Sequence, residues 1–372
     1  MKNWIARYEQ EAKRILNPQA FDYIAGGAGD ESGLARNVSE LQSIRLLNRV
    51  LRGNEVAKTE ITLLGRSHAT PIFIAPTAYH FLVHKDSEVE MARAAKALDT
   101  IMVLSTLSSQ DMETVQSSTG ADLWFQLYFF RDRGLTQAVV ERAASAHFQA
   151  IVLTVDTPVT GIRYRDRMND FKFPANYIPA NILPTRPPHF TQSGFKTPSG
   201  QGLRQYFVDN IKRSLSWKDV EWLQSITKLP IILKGILNPE DAKIAAQQKI
   251  PAIVVSNHGG RQLDAFATAA EALPRIRDAV GSSVEILADG GIRSGSDVIR
   301  YLCLGANAVL VGRPAVWALA VDGAAGVQKI FLELREELET GMTILGAGRV
   351  ADLNREWIYR AAAQPRASGD NR

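Results

Sequence analysis

Apolar residues form eight short continuous runs between residues 71 and 311 of the chain. Such runs, rich in Val, Ile and Leu and bounded by turn residues, are typical of strands buried on both faces of a sheet. The predicted strands are Pro71 to Ala75, Ile101 to Leu104, Leu123 to Leu127, Ala150 to Val155, Pro230 to Leu233, Pro251 to Val255, Val284 to Ala288 and Ala308 to Val311.

Between most of these runs, apolar residues recur at spacings of three and four, which indicates helices with one buried face. The predicted helices are Ser87 to Leu98, Leu135 to Ala146, Leu215 to Ile226, Pro239 to Gln247, Ala269 to Ala279 and Gly295 to Leu304. Because each pair of consecutive parallel strands needs a crossover helix, the alternation predicts an α/β fold of the (β/α)8 TIM-barrel class. A doubly wound open sheet is the alternative.

The two ends of the chain and one connection depart from this pattern. Asn17 and Pro18 predict a helix start, Gly26 and Gly27 end that helix, and Val38 to Leu64 predicts only short strands or irregular cover. About 75 residues separate the fourth and fifth strands, and loops of that length are commonly lids. We therefore predict one barrel domain over residues 1–362 with an N-terminal helical cover, a mobile lid at 171–202 between strands 4 and 5, and a frayed tail at 363–372.

Composition excludes several classes of protein. The 372 residues are 45% hydrophobic and 22% charged, with 43 basic against 39 acidic residues scattered along the chain, which argues against a nucleic-acid partner. The charged N-terminus does not resemble a secretory signal, and no run approaches the roughly 18 apolar residues of a membrane span. We expect a cytoplasmic protein. The single cysteine, Cys303, is expected to be buried, and it excludes disulfides and cysteine-based metal sites. No metal site is predicted.

Polar residues follow every predicted strand, at the end where TIM barrels place their active sites. In chain order they are Pro76 and Thr77; Ser105 and Thr106; Gln126 and Tyr128; Thr154 and Asp156; Lys234 and Gly235; Ser256, Asn257 and His258; Asp289, Gly290 and Gly291; and Gly312 and Arg313. A lysine or glutamine inside an apolar strand is costly unless it is paired. We therefore expect these residues to form one site.

Two of the strand ends indicate particular chemistry. In Ser256 to Asp264, His258 and Arg261 flank two glycines, which puts a proton acceptor and a carboxylate-binding group at one strand end. A turn with a solvated arginine and a hydrogen-bonded histidine is the alternative. The run Asp289 to Gly295, followed by Gly312 and Arg313, offers glycine amides, a helix N-terminus and two guanidinium groups. These groups predict a phosphorylated substrate or a cofactor with a phosphate.

These motifs resemble those of the FMN-dependent 2-hydroxy acid oxidases and dehydrogenases, the family of glycolate oxidase, lactate oxidase and mandelate dehydrogenase. The similar stretches are Phe21 to Tyr23, Ala75 to Ala78, Phe125 to Tyr128, Thr154 to Pro158, Leu233 to Gly235, Ser256 to Asp264, Asp289 to Ile292 and Gly312 to Pro314. The runs Ile24 to Gly29, Ala75 to His80 and Asn169 to Asn181 look similar to the bacterial branch that contains 4-hydroxymandelate oxidase.

The resemblance implies FMN as the cofactor and oxidation of an (S)-2-hydroxy acid to the 2-oxo acid. His258 would accept a substrate proton, with Asp156 orienting its imidazole. Arg163 and Arg261 would bind the substrate carboxylate, and Tyr23 and Tyr128 would supply hydroxyl groups. Lys234 would stabilise negative charge on the reduced flavin. The residues implied in cofactor binding are Pro76, Thr77, Ala78, Ser105, Gln126, Tyr128, Thr154, Lys234, Ser256, Asp289, Gly290, Gly291, Arg293, Gly312 and Arg313.

Two positions depart from the glycolate oxidase pattern. Tyr79 and Leu107 stand where that enzyme has methionine and tryptophan, and both positions border the substrate side chain in the family. We therefore expect a substrate bulkier than glycolate, mandelate or 4-hydroxymandelate first, with L-lactate as the alternative. Reoxidation by O2 to give H2O2 is expected ahead of a quinone-linked dehydrogenase, and the family implies a homotetramer.

Two other classes remain open. An FMN barrel enzyme such as an isoprenoid diphosphate isomerase would share the phosphate site but has no need of the groups at His258, Arg261 and Arg163. A flavin-binding protein without catalysis would have lost catalytic residues, whereas here each of them is present.

Overall fold

The computed structural model describes residues 3–172, 180–182 and 209–359. Two short strands, β1 (Ile61–Leu63) and β2 (Arg66–His68), form an antiparallel pair. The other strands are β3 (Ile72–Ile74), β4 (Met102–Ser105), β5 (Leu123–Leu127), β6 (Ile151–Thr154), β7 (Ile231–Ile236), β8 (Ala252–Val255), β9 (Glu285–Asp289) and β10 (Ala308–Val311). All eight are parallel, and β10 pairs with β3 to close a barrel. The predicted (β/α)8 barrel is confirmed, and the open-sheet alternative is wrong.

Helices surround the barrel, and Pro18–Ala25 contributes to the cavity at its C-terminal end. They are Trp4–Ile15, Pro18–Ala25, Ser32–Ser43, Ser87–Ala97, Met112–Thr119, Arg133–Ser145, Tyr164–Met168, Trp217–Ile226, Pro239–Gln247, Ala269–Val280, Gly295–Leu304 and Arg313–Leu345, with 3-10 turns at His80–Leu82, Val350–Asp352 and Arg355–Trp357. The six predicted helices are all present. The prediction for Val38 to Leu64 was wrong at its start, because Ser32–Ser43 is a helix that buries Asn37 and Leu41.

The alternation of side chains along each strand explains how the barrel builds a polar site above an apolar core. Successive residues point into the barrel or out to the helices. The inward side chains include Phe73, Val103, Trp124, Val152, Ile232, Val254, Leu287 and Leu310. Two residues further along the respective strands come Ala75, Ser105, Gln126, Thr154, Lys234, Ser256, Asp289 and Gly312. The next inward layer is therefore largely polar and lies at the C-terminal ends of the strands.

The long connection between β6 and β7 is held to the barrel by contacts that include the following. The buried Asn181 donates to the carbonyl oxygen of Ser105 and accepts from the backbone N–H of Met112. Further along, Ile211 forms an antiparallel bridge with Phe130. Most of the predicted lid at 171–202 and the whole predicted tail at 363–372 lie outside the described residues, so those predictions stay open.

The helix Arg313–Leu345 is long and apolar enough to cross a membrane, by length and composition only. The sequence expectation concerned only uninterrupted apolar runs, and this helix was not among them because it contains charged residues. Its backbone leaves the helical conformation at Asp322 and Gly323, and it packs against Trp4–Ile15, Ser87–Ala97 and Gly295–Leu304. These are the features of a core helix of the barrel.

Candidate active site

A cavity lies at the C-terminal ends of the barrel strands, with about 1580 Å³ of space including the part open to solvent. The predicted site residues that line it are Tyr23, Pro76, Thr77, Ala78, Tyr79, Ser105, Leu107, Gln126, Tyr128, Thr154, Arg163, Lys234, His258, Arg261, Asp289, Gly290, Gly291, Arg293, Gly312 and Arg313. Of the other residues expected there, Asp156 contacts His258 and Ser256 contacts Lys234, whereas the strand-end residues Thr106, Gly235 and Asn257 are not among those that line the cavity. One cavity therefore brings together residues from all eight strand ends.

His258 and Asp156 form a hydrogen-bonded pair at one side of the cavity. His258 Nδ1 lies 2.9 Å from Asp156 Oδ1, and the His258 N–H donates to Ser256 Oγ. Burial raises the pKa of Asp156, but the charge of His258 and the hydrogen bond between them outweigh it and hold that pKa below its usual value. A carboxylate at this position fixes the ring orientation and stabilises an imidazolium.

Lys234 is buried beneath the cavity between two carboxylates. Its Nζ lies 3.0 Å from Asp289 Oδ2 and donates to Ser256 Oγ. Burial lowers the pKa of Lys234, but the charges of Asp289 and Asp156 more than compensate and raise it overall. Asp289 Oδ1 is buried and has no hydrogen-bond partner among the described residues. The site therefore contains a fixed positive charge beside an acceptor that is available to a ligand.

Neutral hydrogen-bonding groups connect β4, β5 and β6 at the same level of the barrel. Gln126 Nε2 donates to Thr154 Oγ1, and Gln126 Oε1 accepts from Ser105 Oγ and from the backbone N–H of Thr106. All four residues are buried. These hydrogen bonds fix the amide orientation of Gln126, which gives the cavity a rigid polar lining.

Three half-buried arginines at the cavity, Arg261, Arg293 and Arg313, have no carboxylate within salt-bridge distance in the described part of the chain. Arg261 donates to the carbonyl oxygens of Tyr23 and Gly26, and Arg313 donates to those of Ile24, Gly26 and Gly259. Burial and the charge of Arg163 lower the pKa of Arg261 to about 10. Burial, followed by the charges of Arg261 and Arg293, lowers the pKa of Arg313 well below its usual value.

These lowered pKa values indicate that several positive charges lie close together here without a neutralising carboxylate. Carbonyl oxygens satisfy the N–H donors but do not neutralise the charge, and buried uncompensated cations are costly. Gly290 and Gly291, with φ of +96° and +77°, turn the backbone beside Arg293 and Arg313. The arrangement fits anionic ligands, such as a phosphate and a carboxylate.

Of the three arginines in residues 161–167, only Arg163 lines the cavity. The Arg163 guanidinium lies 5.8 Å from the centre of the Tyr23 ring, and Arg163 Nε is buried without a partner among the described residues. Arg165 pairs instead with Asp22 and Glu31. The Arg167 side chain is exposed.

Aromatic side chains line the mouth of the cavity near Arg163. Tyr23 stacks on Phe171 with ring centres 4.8 Å apart, and the Tyr79 ring lies 5.7 Å from that of Tyr23. Tyr79 also donates its backbone N–H to the carbonyl oxygen of Leu107. Burial, followed by the charge of Asp156, raises the pKa of Tyr128, so this phenol stays protonated.

The sequence reasoning did not identify two contributors to the site. Phe171 lies at the start of the predicted lid, where only the tertiary structure shows that it stacks on Tyr23. The buried amides of Asn37 and Asn257 exchange two hydrogen bonds, at 3.0 and 2.8 Å, which fix the turn containing His258 against the N-terminal helices. Asn257 belongs to the Ser256 to Asp264 stretch, so the sequence pointed to this residue but not to its partner Asn37.

Comparisons with known proteins agree with this geometry. Residues 12–360 match the FMN-dependent dehydrogenase family. The L-lactate oxidase of Nostoc sp. is 43% identical over 95% of this chain and 96% of that protein. The L-lactate dehydrogenase of Stenotrophomonas maltophilia is 41% identical over 94% of this chain and 96% of that protein. A crystal structure of mandelate oxidase with (S)-4-hydroxymandelic acid superimposes with a TM-score of 0.85 at 39% identity, over 93% of this chain and 96% of that one.

The chain belongs to the FMN-dependent dehydrogenase family, and it is an FMN-dependent 2-hydroxy acid oxidoreductase. The residues at the cavity fit FMN. The uncompensated arginines and the glycine turns suit its phosphate, whereas Lys234 and the unpaired Asp289 Oδ1 suit the polar edge of a flavin and its ribityl chain.

Proposed function

We propose that this protein oxidises an (S)-2-hydroxy acid larger than glycolate to the 2-oxo acid and passes the electrons to O2, giving H2O2. The observation that supports the reaction most strongly is the placement of the His258 and Asp156 pair in one cavity with Arg163 and Arg261. A proton acceptor beside two guanidinium groups matches a substrate that has a carboxylate next to its reacting hydroxyl group.

The two arginines bind and orient the substrate. A planar guanidinium can bind a carboxylate through two parallel hydrogen bonds, and that contact fixes the α carbon relative to the imidazole. The carboxylate also supplies the negative charge that Arg261 lacks in the described structure. Tyr23 and Tyr128 offer hydroxyl groups to the carboxylate and the reacting oxygen.

His258 accepts a substrate proton at Nε2, because Nδ1 is held by Asp156. Asp156 then stabilises the imidazolium. Bound FMN supplies the two-electron acceptor for the oxidation. Lys234, which is protonated and excluded from water, stabilises the negative charge that accompanies the reduction.

The aromatic residues at the cavity mouth support a bulky substrate substituent. Tyr23, Tyr79 and Leu107 line the cavity with an apolar, largely aromatic surface that Phe171 supports by stacking on Tyr23. This surface fits an aryl group such as that of mandelate or 4-hydroxymandelate. Mandelate oxidase, a structural neighbour of this chain, is named for such a substrate. L-lactate is the second candidate, because an L-lactate oxidase is 43% identical to this chain.

A panel of substrates tests the proposal. The purified yellow protein is mixed with (S)-mandelate, (S)-4-hydroxymandelate, L-lactate, glycolate and the (R) isomers, and both peroxide and oxygen uptake are followed. We expect the highest kcat/KM for the (S)-aryl acids and stoichiometric peroxide. A preference for L-lactate would establish the second candidate. Rapid flavin bleaching followed by slow reoxidation in air would contradict the oxidase assignment and indicate a dehydrogenase with another electron acceptor, such as a quinone.

We also propose that the protein is a homotetramer, as its membership of the family implies. Light scattering of the purified holoenzyme tests this directly. A mass near four times the 40.9 kDa of one chain is expected, whereas a monomer would contradict it.

A further inference from the structure

A second buried polar cluster lies directly behind Thr77, one of the residues that line the cavity. His80 is 1% exposed, and its Nε2 lies 2.5 Å from Thr77 Oγ1. Behind it the fully buried Glu88 accepts hydrogen bonds from the backbone N–H of His80 and from Ser109 Oγ. The His80 imidazole thus contacts a cavity-lining hydroxyl while a buried carboxylate holds the His80 backbone, and the reaction as described above does not use this histidine.

The surroundings of His80 determine where its proton resides. Its Nδ1 is buried and has no hydrogen-bond partner among the described residues. A buried N–H without an acceptor is costly, whereas an unused ring lone pair costs less. Burial, only partly opposed by Glu88, also lowers the pKa of His80. The neutral imidazole is therefore protonated at Nε2, and it donates that proton to Thr77 Oγ1.

This assignment determines the direction of the Thr77 hydroxyl. A hydroxyl group has one proton and two acceptor lone pairs. Because Thr77 Oγ1 accepts from His80, its own proton is free to be donated elsewhere. Thr77 lines the cavity, so the available direction is toward the ligand. With the opposite tautomer, Thr77 would donate to His80 and could only accept from the ligand.

We propose that His80 is a positioning residue that makes the Thr77 hydroxyl a hydrogen-bond donor to the flavin ring. The inference rests on the proposed placement of the ring against Thr77. A donor at the ring stabilises the electron-rich reduced flavin more than the oxidised one, so the pair raises the midpoint potential of the cofactor. His80 acts through Thr77 and touches neither substrate nor cofactor.

Four variants of the holoenzyme test this coupling: His80→Leu, Thr77→Val, the double variant and His80→Gln, which can still present an N–H to Thr77. FMN content, the visible absorption spectrum, the midpoint potential against a reference dye, and kcat and KM are measured for each. His147→Gln, at an exposed histidine, is the control for the loss of an imidazole.

We expect His80→Leu and Thr77→Val to shift the flavin absorption maxima in the same direction and to lower the midpoint potential by similar amounts. The double variant should show no further change, because both substitutions remove one hydrogen bond. His80→Gln should restore the spectrum. A wild-type spectrum and potential in His80→Leu, with a shift in Thr77→Val, would overturn the role of His80 and leave the oxidation of 2-hydroxy acids intact. Shifts that add in the double variant would also overturn it.

A second measurement determines the tautomer of His80 in the wild-type protein directly. Nitrogen NMR of the histidine-labelled holoenzyme distinguishes the two neutral tautomers, with His80→Gln identifying the signals of His80. A protonated Nε2 and a bare Nδ1 are expected. A signal from protonated Nδ1 would overturn the proposal.

Discussion

Asp156 Oδ1 lies 2.9 Å from His258 Nδ1, and this contact gives the two ring nitrogens different tasks. The carboxylate holds the imidazole through Nδ1 and leaves Nε2 as the proton acceptor. Asp156 is 8% exposed in its side chain, so its charge acts on the ring with little screening by water.

Replacing that carboxylate by an amide should impair proton transfer without removing the cofactor. We expect Asp156→Asn to lower the rate of flavin reduction by about 10²–10⁴-fold, because an amide does not stabilise the imidazolium. Anaerobic stopped-flow absorption measures this rate. Asp170→Asn, at an exposed aspartate, is the matched control. An unchanged rate in Asp156→Asn would show that the pair has no catalytic role.

Arg163 and Arg167 allow the effect of position to be tested with the same type of side chain. Arg163 lines the cavity and Arg167 is exposed. We expect Arg163→Ala to raise KM or the Kd of a competitive 2-oxo acid by a factor corresponding to about 2–5 kcal/mol, whereas Arg167→Ala changes neither. Equal effects in the two variants, measured by steady-state kinetics and titration, would contradict the carboxylate-binding role of Arg163.

Gly235 is required by the close approach of Asp156. Its φ is +112°, and a Cβ there would lie 2.5 Å from the Cβ of Asp156. We expect Gly235→Ala to destabilise the protein by about 1–3 kcal/mol and to lower kcat by displacing Asp156. Gly120 has φ of +57° but open space around it, so Gly120→Ala isolates the conformational cost. Denaturant unfolding should show a smaller loss and unchanged kcat for Gly120→Ala.

Asp219 makes the stability of the fold dependent on pH. Burial raises the pKa of Asp219, but hydrogen bonds from Lys212, Ser216 and Arg133 outweigh it and lower the value to about 2 from 3.8. The carboxylate therefore stabilises the fold by about 2 kcal/mol above pH 3.8, and this contribution is lost as the pH falls through about 2.

Urea unfolding of Asp219→Asn and wild type measures that contribution. The difference in free energy of unfolding should be large at pH 7 and should shrink as the pH falls from about 4 to 2. Glu240→Gln, which removes an exposed pair with Lys243, should have little effect at either pH. A difference for Asp219→Asn that does not depend on pH would show that the charge is unimportant there.

The strands were predictable and parts of the site were not, for physical reasons. Continuous apolar runs such as Ala308 to Val311 have one stable placement, inside a covered sheet, so all eight strands were found. The helix Ser32–Ser43 was missed because tertiary packing of Asn37 and Leu41 determines it more than a regular apolar pattern does. Spacing could not show which of Arg163, Arg165 and Arg167 lines the cavity, since that depends on the partners of Arg165.

The most direct test of the proposed reaction is the anaerobic reduction of bound flavin in His258→Asn. Asparagine is preferred to alanine because His258 has φ of +60°, a conformation that asparagine adopts readily. The holoenzyme is mixed with (S)-mandelate, or with the best acid from the panel, and the flavin band is followed. The wild type should bleach rapidly, and His258→Asn should keep its FMN and stay yellow. Bleaching of the variant at the wild-type rate would contradict the assignment of His258 as the proton acceptor.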